Sequence, residues 1–368
     1  MTEKIDELQN NPMFRLSMSS LELFHSNFLE WLFDYNPSSF LKCFGIDVET
    51  DKKYKIQREY HLGKTDKNQK KEWITDIAVF VEENNADKLI LIIENKIKSL
   101  PSDGQLESQN FLSKEKNETC KKVLLTLFDL PEDYERCDFR HVKYIDLVKE
   151  IINQYGTDNL YIKDYCTMIE KLHKIVDNVI NEIPKGNLMF HKHFESLEKC
   201  GMQDAFRKYQ GAQLAQIASN KFKDKYEMPI ETGVWLQHKR ACVNVFLKLK
   251  KIEAGVQIEH DQFRVFFEGK AIEKLYQGEC LKDDKYKFLD EIWNDWLKGL
   301  SDGRKDNCKY GKNFVYRYVK IPENITIDAL LEGGNWLENH SELSVKNILD
   351  KIIDNKDNII KELSLGKI

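Results

Sequence analysis

An apolar run, Leu89-Ile90-Leu91-Ile92-Ile93, passes directly into Glu94-Asn95-Lys96. Five consecutive apolar residues of this kind read as a buried strand. Successive strand side chains alternate between faces, so Glu94 and Lys96 point the same way. Burying a charge without a partner is expensive. A core strand that ends in an acid and a base on one face carries either a structural ion pair or a site that holds a metal and works on phosphate.

The flanking pattern supplies a sheet. "YKIQREYHL" (Tyr54 to Leu62) alternates like a strand, "GKTDKNQKKE" follows as a polar, basic loop, and "WITDIAVFV" (Trp73 to Val81) is a second strand. "ENNADK" is a turn into the strand that ends at Lys96. Short connections predict an antiparallel meander of three strands. Before it, residues 17–35 place Leu21, Phe24, Phe28, Leu29, Leu32 and Phe33 near helical spacing, with Ser19 or Ser20 to cap the start and Pro37 just past the end. After it, "SDGQLESQNFLSKE" opens with helix-start signals at Ser102 and Asp103, "KVLLTLF" (Lys122 to Phe128) is a short apolar strand, and "HVKYIDLVKEIINQY" gives one more strand and a helix. A strand reached through a helical crossover usually lies parallel to its neighbour. The order predicts an α/β sandwich around a mixed sheet.

Asp76 sits near the start of the second strand and Glu94 near the end of the third. In an antiparallel hairpin those positions lie opposite each other, so the two carboxylates meet at one edge of the sheet. They repel and desolvate badly unless a cation sits between them. Mg²⁺ suits this arrangement, being a hard ion bound by one or two carboxylates, a backbone carbonyl and several waters. The carbonyl of Asn95 is placed as a third protein ligand. Lys96 faces the same site, where it orients or deprotonates the attacking water or offsets charge on the phosphate.

The pattern D-x17-E-x-K on a strand-turn-strand resembles the PD-(D/E)xK nuclease superfamily, the restriction-endonuclease-like fold. The resemblance covers roughly residues 15–155, whose element order is that family's αβββαβ core. Thr75 stands where the family usually has Pro. The resemblance implies a further acid on the first helix, for which Glu22 is the best match, with Glu59 at the end of the first strand as another candidate. It also implies a role for Gln105, since some branches carry a Q-L-x-x-Y pattern on the following helix; here Gln109 stands at the Tyr position. "ELFHSNFLEWLFD", "ENKI" and "GQL" look especially like an uncharacterised bacterial branch of the superfamily.

Several features have plainer readings. His25, one turn beyond Glu22, could face the cleft but also suits ordinary helix packing. Lys98 suits a solvated loop, and so does the basic stretch from Lys64 to Lys71, unless it tracks a phosphate backbone. His191 and His193 diverge around a helix axis and do not make a metal pair. Trp293 and Trp296 share a helix face suited to core packing. A second E-x-K, Glu268-Gly269-Lys270, lacks an Asp at matching depth on the preceding strand, and its glycine suggests a turn.

The chain has 368 residues, which suits two domains. We expect residues 1–185 to form the nuclease-like domain and residues 186–368 an α+β accessory domain that binds substrate or mediates oligomerisation, with Pro184 to Gly186 as the linker. The second half should contain a long helical run from Met189 to Lys225, strands "GVWLQH", "VNVFLKLK", "AGVQIEH", "FRVFFEG" and "FVYRYVKI", a Trp-rich helix around "FLDEIWNDWLKGL", and a last helix from Ser344 to Leu363. No apolar run is long enough to cross a bilayer and "MTEKIDELQN" has no signal-peptide pattern, so a cytoplasmic protein without a membrane partner is expected. The eight cysteines include no C-x-x-C and read as free thiols. A net charge of -5 does not suggest a protein coated in nucleic acid, although a local groove can still be basic.

The expected function is a hydrolase: a Mg²⁺- (or Mn²⁺-) dependent nuclease cutting phosphodiester bonds in DNA rather than RNA. One active site cuts one strand, so double-strand cutting implies a homodimer or two binding events. A bacterial defence or DNA-processing role follows from the resemblance alone. The rival is a catalytically silent nuclease fold that acts as a nucleic-acid or protein binding module.

Overall fold

The computed structural model describes residues 2–18, 22–65, 72–97, 99, 101, 104–130, 137–184, 186–187, 193–237, 240–259, 261–269, 296, 309–310, 314–322, 325–334 and 343–364. The chain divides into two compact units, one of Met1–Glu182 with Phe194–Tyr209 and one of Ile183–His193 with Gln210–Ile368.

The first unit opens with helices α1 (Thr2–Gln9), α2 (Pro12–Ser17), α3 (Leu23–Tyr35) and α4 (Pro37–Cys43). Strands β1 (Tyr54–Gly63), β2 (Trp73–Glu83) and β3 (Ala86–Lys96) follow, then α5 (Gln105–Lys116), β4 (Lys121–Thr126), β5 (Arg140–Lys143), α6 (Tyr144–Tyr155), α7 (Leu160–Glu182) and α8 (Glu195–Lys199). The sheet order is β1-β2-β3-β4-β5, with β1, β2 and β3 antiparallel and β3, β4 and β5 parallel. The meander and the parallel crossover strands are therefore present, in a mixed sheet. Asn84 and Asn85, both with positive φ, make the two-residue turn between β2 and β3, a geometry that matches strand twist. Because β3 and β4 are parallel, the chain must cross back between them, and α5 does so.

The helical signal at residues 17–35 resolves into a later start. Helix α3 begins at Leu23 with Glu22 as its N-cap residue, and Asn36 and Pro37 open α4 instead of ending the chain's helical course. The capping candidates Ser19 and Ser20, and the helix-start signals Ser102 and Asp103, lie outside the described residues.

Alternation along β2 and β3 sorts the core. Ala78, Phe80 and Ile92 pack with Leu106, Leu112 and Leu124 on the α5 side. Ile77, Val79, Leu91 and Ile93 are fully buried on the other face. Each such side chain contributes roughly 1.5–3 kcal/mol on burial. The strand is held from both faces, so its polar end is a fixed platform.

The second unit contains an antiparallel sheet, ordered β10-β11-β9-β8-β7-β6. After helix α9 (Gln203–Phe222) come β6 (Ile230–Gln237), β7 (Arg240–Leu249), β8 (Ile252–Glu259), β9 (Gln262–Glu268), β10 (Lys309–Tyr310) and β11 (Phe314–Lys320). Helices α10 (Ile327–Glu332), α11 (Val345–Asp354) and α12 (Lys356–Ser364) follow. Val245, Val256 and Val265 of the sheet share a core with Phe222, Leu349 and Ile352. The expected helical run up to Lys225 is interrupted after α8, where Gly201 takes a positive φ, and the last helix divides at Asn355. Most of the expected Trp-rich helix, Trp293 included, lies outside the described residues; Trp296 packs in the core. Glu268 ends β9, and Gly269 has a positive φ at a position where a Cβ would meet the Lys251 carbonyl oxygen at 2.2 Å. That glycine is needed for the turn, and Lys270 lies outside the described residues. Among the described residues no helix is long and apolar enough to cross a membrane.

Candidate active site

The pairing of β2 with β3 runs to Ile77 opposite Ile93, which brings Asp76 and Glu94 next in line. Thr75 holds this end together: its buried hydroxyl donates to the Ile93 carbonyl at 3.2 Å. Proline there could not make that bond, which gives the departure Thr75 a structural use. Past Ile77 the contact passes through a side chain, with the Asn95 main-chain N–H donating to Asp76 Oδ2 at 2.6 Å.

Lys96 lies among three carboxylates. Its Nζ is 2.6 Å from Glu94 Oε1, 3.7 Å from Glu22 Oε2 and 4.0 Å from Asp76 Oδ2. Only 10 % of the Lys96 side chain and 2 % of that of Glu94 are exposed, against 27 % for Asp76 and 25 % for Glu22. The cluster thus has a buried end at Glu94 and an open end at Asp76 and Glu22.

Helix α5 fixes the buried end. Gln105 Nε2 donates to Glu94 Oε1 at 2.6 Å and Gln109 Nε2 donates to Oε2 at 2.7 Å. Residues four apart share a helix face, so two amides one turn apart hold both oxygens of one carboxylate. The Gln109 amide also donates to the Ile74 carbonyl at 2.8 Å, while its buried Oε1 has no hydrogen-bond partner. At the open end, Ser99 Oγ donates to Glu22 Oε1.

Burial pushes the Asp76 carboxyl up to about 7; the Glu94 charge adds to this and Lys96 opposes it. Burial would by itself lower the Lys96 ammonium, but Glu94, Glu22 and Asp76 together outweigh it and hold the group above the ordinary lysine value. Lys96 is therefore held as a cation in this arrangement, able to donate hydrogen bonds and to offset negative charge.

The structure brings together Glu22, Asp76, Glu94, Lys96 and Gln105. Glu59 stands apart: it is exposed, has a φ of 46° between the Arg58–Ile77 and Tyr60–Thr75 pairs of β1 and β2, and shares no hydrogen bond or ion pair with the cluster. His25 is wholly buried, with Nδ1 3.0 Å from Tyr165 Oη. Lys98, His191 and most of the basic loop lie outside the described residues. Sequence reasoning noticed Gln109 only as a departure from a motif. Its i, i+4 spacing from Gln105 was the available signal.

Residues 12–187 match the family model described as PD-(D/E)XK nuclease superfamily. That stretch is similar to this superfamily. No curated protein and no solved structure matches the chain. The mixed five-stranded sheet of the first unit is consistent with the superfamily's fold. Its nucleases typically use divalent metals. Among the described residues no group of three or more His, Cys, Asp and Glu side chains is gathered as a ready-made cage. A donor set of two carboxylates with a backbone carbonyl nevertheless fits Mg²⁺, which keeps several waters and needs few protein ligands.

Proposed function

We propose that this nuclease-like unit hydrolyses phosphodiester bonds in DNA with Mg²⁺ or Mn²⁺, using Asp76, Glu94 and Lys96. The observation that carries the reading is the convergence of those three side chains at the end of one hairpin, with Glu94 held on both oxygens by Gln105 and Gln109. A carboxylate pair at a fixed strand end suits a divalent cation. Asp76, Glu94 and the carbonyl of Asn95 would hold the ion, which supplies positive charge to the phosphate and lowers the pKa of a water.

The remaining roles belong to the chain. Glu94 cannot swing away, because each oxygen is tied to an amide of α5. Lys96, held as a cation, donates to a phosphate oxygen or to the attacking water and stabilises the charge that grows at phosphorus. Attack by water breaks one P–O ester bond and leaves a phosphate monoester and an alcohol. The water's proton passes to a carboxylate at the open end or to solvent. Glu22 keeps Lys96 in place from the helix side.

The test is cleavage of supercoiled plasmid, linear duplex, single-stranded DNA and RNA with Mg²⁺ or Mn²⁺. Wild type is run beside Lys96→Ala and Asp76→Ala, each first checked for folding by circular dichroism. Cleavage of DNA by wild type alone supports the reading. Cleavage of RNA in preference to DNA changes the substrate. Mn²⁺ binding without cleavage of any substrate favours the silent binding module.

A further inference from the structure

Asn95, between the acid and the lysine, points to the opposite face of β3 and is fully buried. Its amide has three partners. Nδ2 donates to Ser26 Oγ at 3.1 Å and to the Glu22 main-chain oxygen at 3.2 Å, and Oδ1 accepts from Tyr144 Oη at 2.7 Å. Its main-chain N–H holds Asp76 Oδ2. One residue thus touches the Asp76 carboxylate, the start of α3 where Glu22 sits, and the first residue of α6.

Tyr144 anchors this arrangement. It and Tyr165 are fully buried. Tyr165 stacks on Phe28 at 3.6 Å between ring centroids, and its Oη lies 3.0 Å from His25 Nδ1. Each hydroxyl has one proton. Tyr144 gives its proton to Asn95. The Asn95 amide cannot turn over within this chain, because its oxygen would then face the Glu22 carbonyl, which has no proton to give.

We propose that Tyr144 is a positioning residue: through Asn95 it sets the Asp76 carboxylate and the Glu22 end of α3 against Lys96, and thereby the affinity of the site for a divalent cation. This rests on the metal-dependent reading of the site. An ordinary buried hydrogen bond would contribute to stability and leave cation binding alone. A bond that positions ligand groups alters binding as well, by about tenfold or more in comparable metal sites.

Tyr144→Phe removes one oxygen, keeps the ring, and leaves Asn95 Oδ1 short of its donor. Tyr155→Phe is the control. The Tyr155 hydroxyl bonds the Leu32 and Asn36 carbonyls at 2.8 and 3.0 Å and lies outside this network. Mn²⁺ is titrated by calorimetry into the full chain of wild type and both variants, at a temperature where circular dichroism shows all of them folded. The expected result is equal affinity for wild type and Tyr155→Phe, and about tenfold weaker binding by Tyr144→Phe. Equal binding by Tyr144→Phe, or an equal loss in Tyr155→Phe, overturns the proposal. If Tyr144→Phe does not fold, Ser26→Ala, which removes another partner of the same Asn95 amide, should weaken binding by a smaller factor, and an unchanged affinity overturns the proposal equally. A wild type that takes up no Mn²⁺ overturns the metal-dependent reading and this proposal together, an outcome distinct from equal binding by wild type and variant.

Discussion

Lys96 Nζ lies 2.6 Å from Glu94 Oε1, two residues back on the same strand face, and the same ammonium lies 3.7 Å from Glu22 Oε2 and 4.0 Å from Asp76 Oδ2. One lysine balances three carboxylates. Removing one partner of a buried ion pair costs about 3–5 kcal/mol, because the other charges stay behind. Lys96→Ala should therefore melt well below wild type after treatment with a chelator. An added divalent cation replaces the lost positive charge, so the rise in Tm with Mn²⁺ should be larger in Lys96→Ala than in wild type. Calorimetric melts with and without Mn²⁺ check this, and an equal or smaller rise counts against the charge balance described.

Asp76 predicts the opposite sign. Its carboxyl is raised to about 7 in the folded protein, above its unfolded value, so the folded state holds the proton more tightly. The fold carries no penalty from this group below the unfolded value. The penalty grows as pH rises from about 4 through about 7 and is complete above that. In metal-free buffer Asp76→Asn should match wild type near pH 4 and be more stable near pH 8, by on the order of 1–3 kcal/mol. Urea unfolding across that pH range measures the difference. A variant that is less stable than wild type at pH 8 contradicts the cause assigned to the shift.

Gln109 is fully buried and bridges Glu94 to the Ile74 carbonyl. Gln109→Leu keeps the approximate volume and leaves both acceptors without this donor, at a cost of about 1–3 kcal/mol. With Glu94 freed on one oxygen, cleavage should fall about tenfold or more, as for other groups that orient a metal ligand. Initial rates at saturating Mn²⁺ test this, and an unchanged rate removes Gln109 from the clamp.

Much of this arrangement was legible in the chain before any coordinates. The alternation of Trp73 to Val81 and the apolar run to Ile93 specify the hairpin, but the two-residue turn at Asn84-Asn85 alone would set Asp76 against Ile93; a bulge between the Phe80–Leu89 and Val79–Leu91 pairs shifts the register by one and brings Asp76 to Glu94. Asp76, Glu94 and Lys96 are close because strand geometry is local and periodic. Gln105 and Glu22 needed the resemblance to a family, since they reach the site from other elements. Tyr144 carried no signal at all: its bond to Asn95 spans 49 residues and depends on how α6 packs. Glu59 keeps its place in β1 between the Arg58–Ile77 and Tyr60–Thr75 pairs, but a φ of 46° there departs from the strand geometry that alternation assumes.

The cysteines give a check on the core. Cys43, Cys120 and Cys166 are buried, and burial pushes each thiol up to about 12. The thiolate is the reactive form. Iodoacetamide at pH 8, read by mass spectrometry, should leave these three unmodified in the folded protein while the partly exposed Cys137 reacts. Labelling of all four at one rate contradicts the packing around them.

The most direct measurement is nicking of supercoiled plasmid in Mn²⁺ by wild type and Asp76→Asn, side by side. The variant should keep the bond from the Asn95 N–H and be at least as stable above neutral pH, so a loss of activity in it is not a loss of fold. The account predicts that wild type nicks and Asp76→Asn does not. Equal nicking by both, or none by wild type, contradicts a metal-dependent site at Asp76 and Glu94.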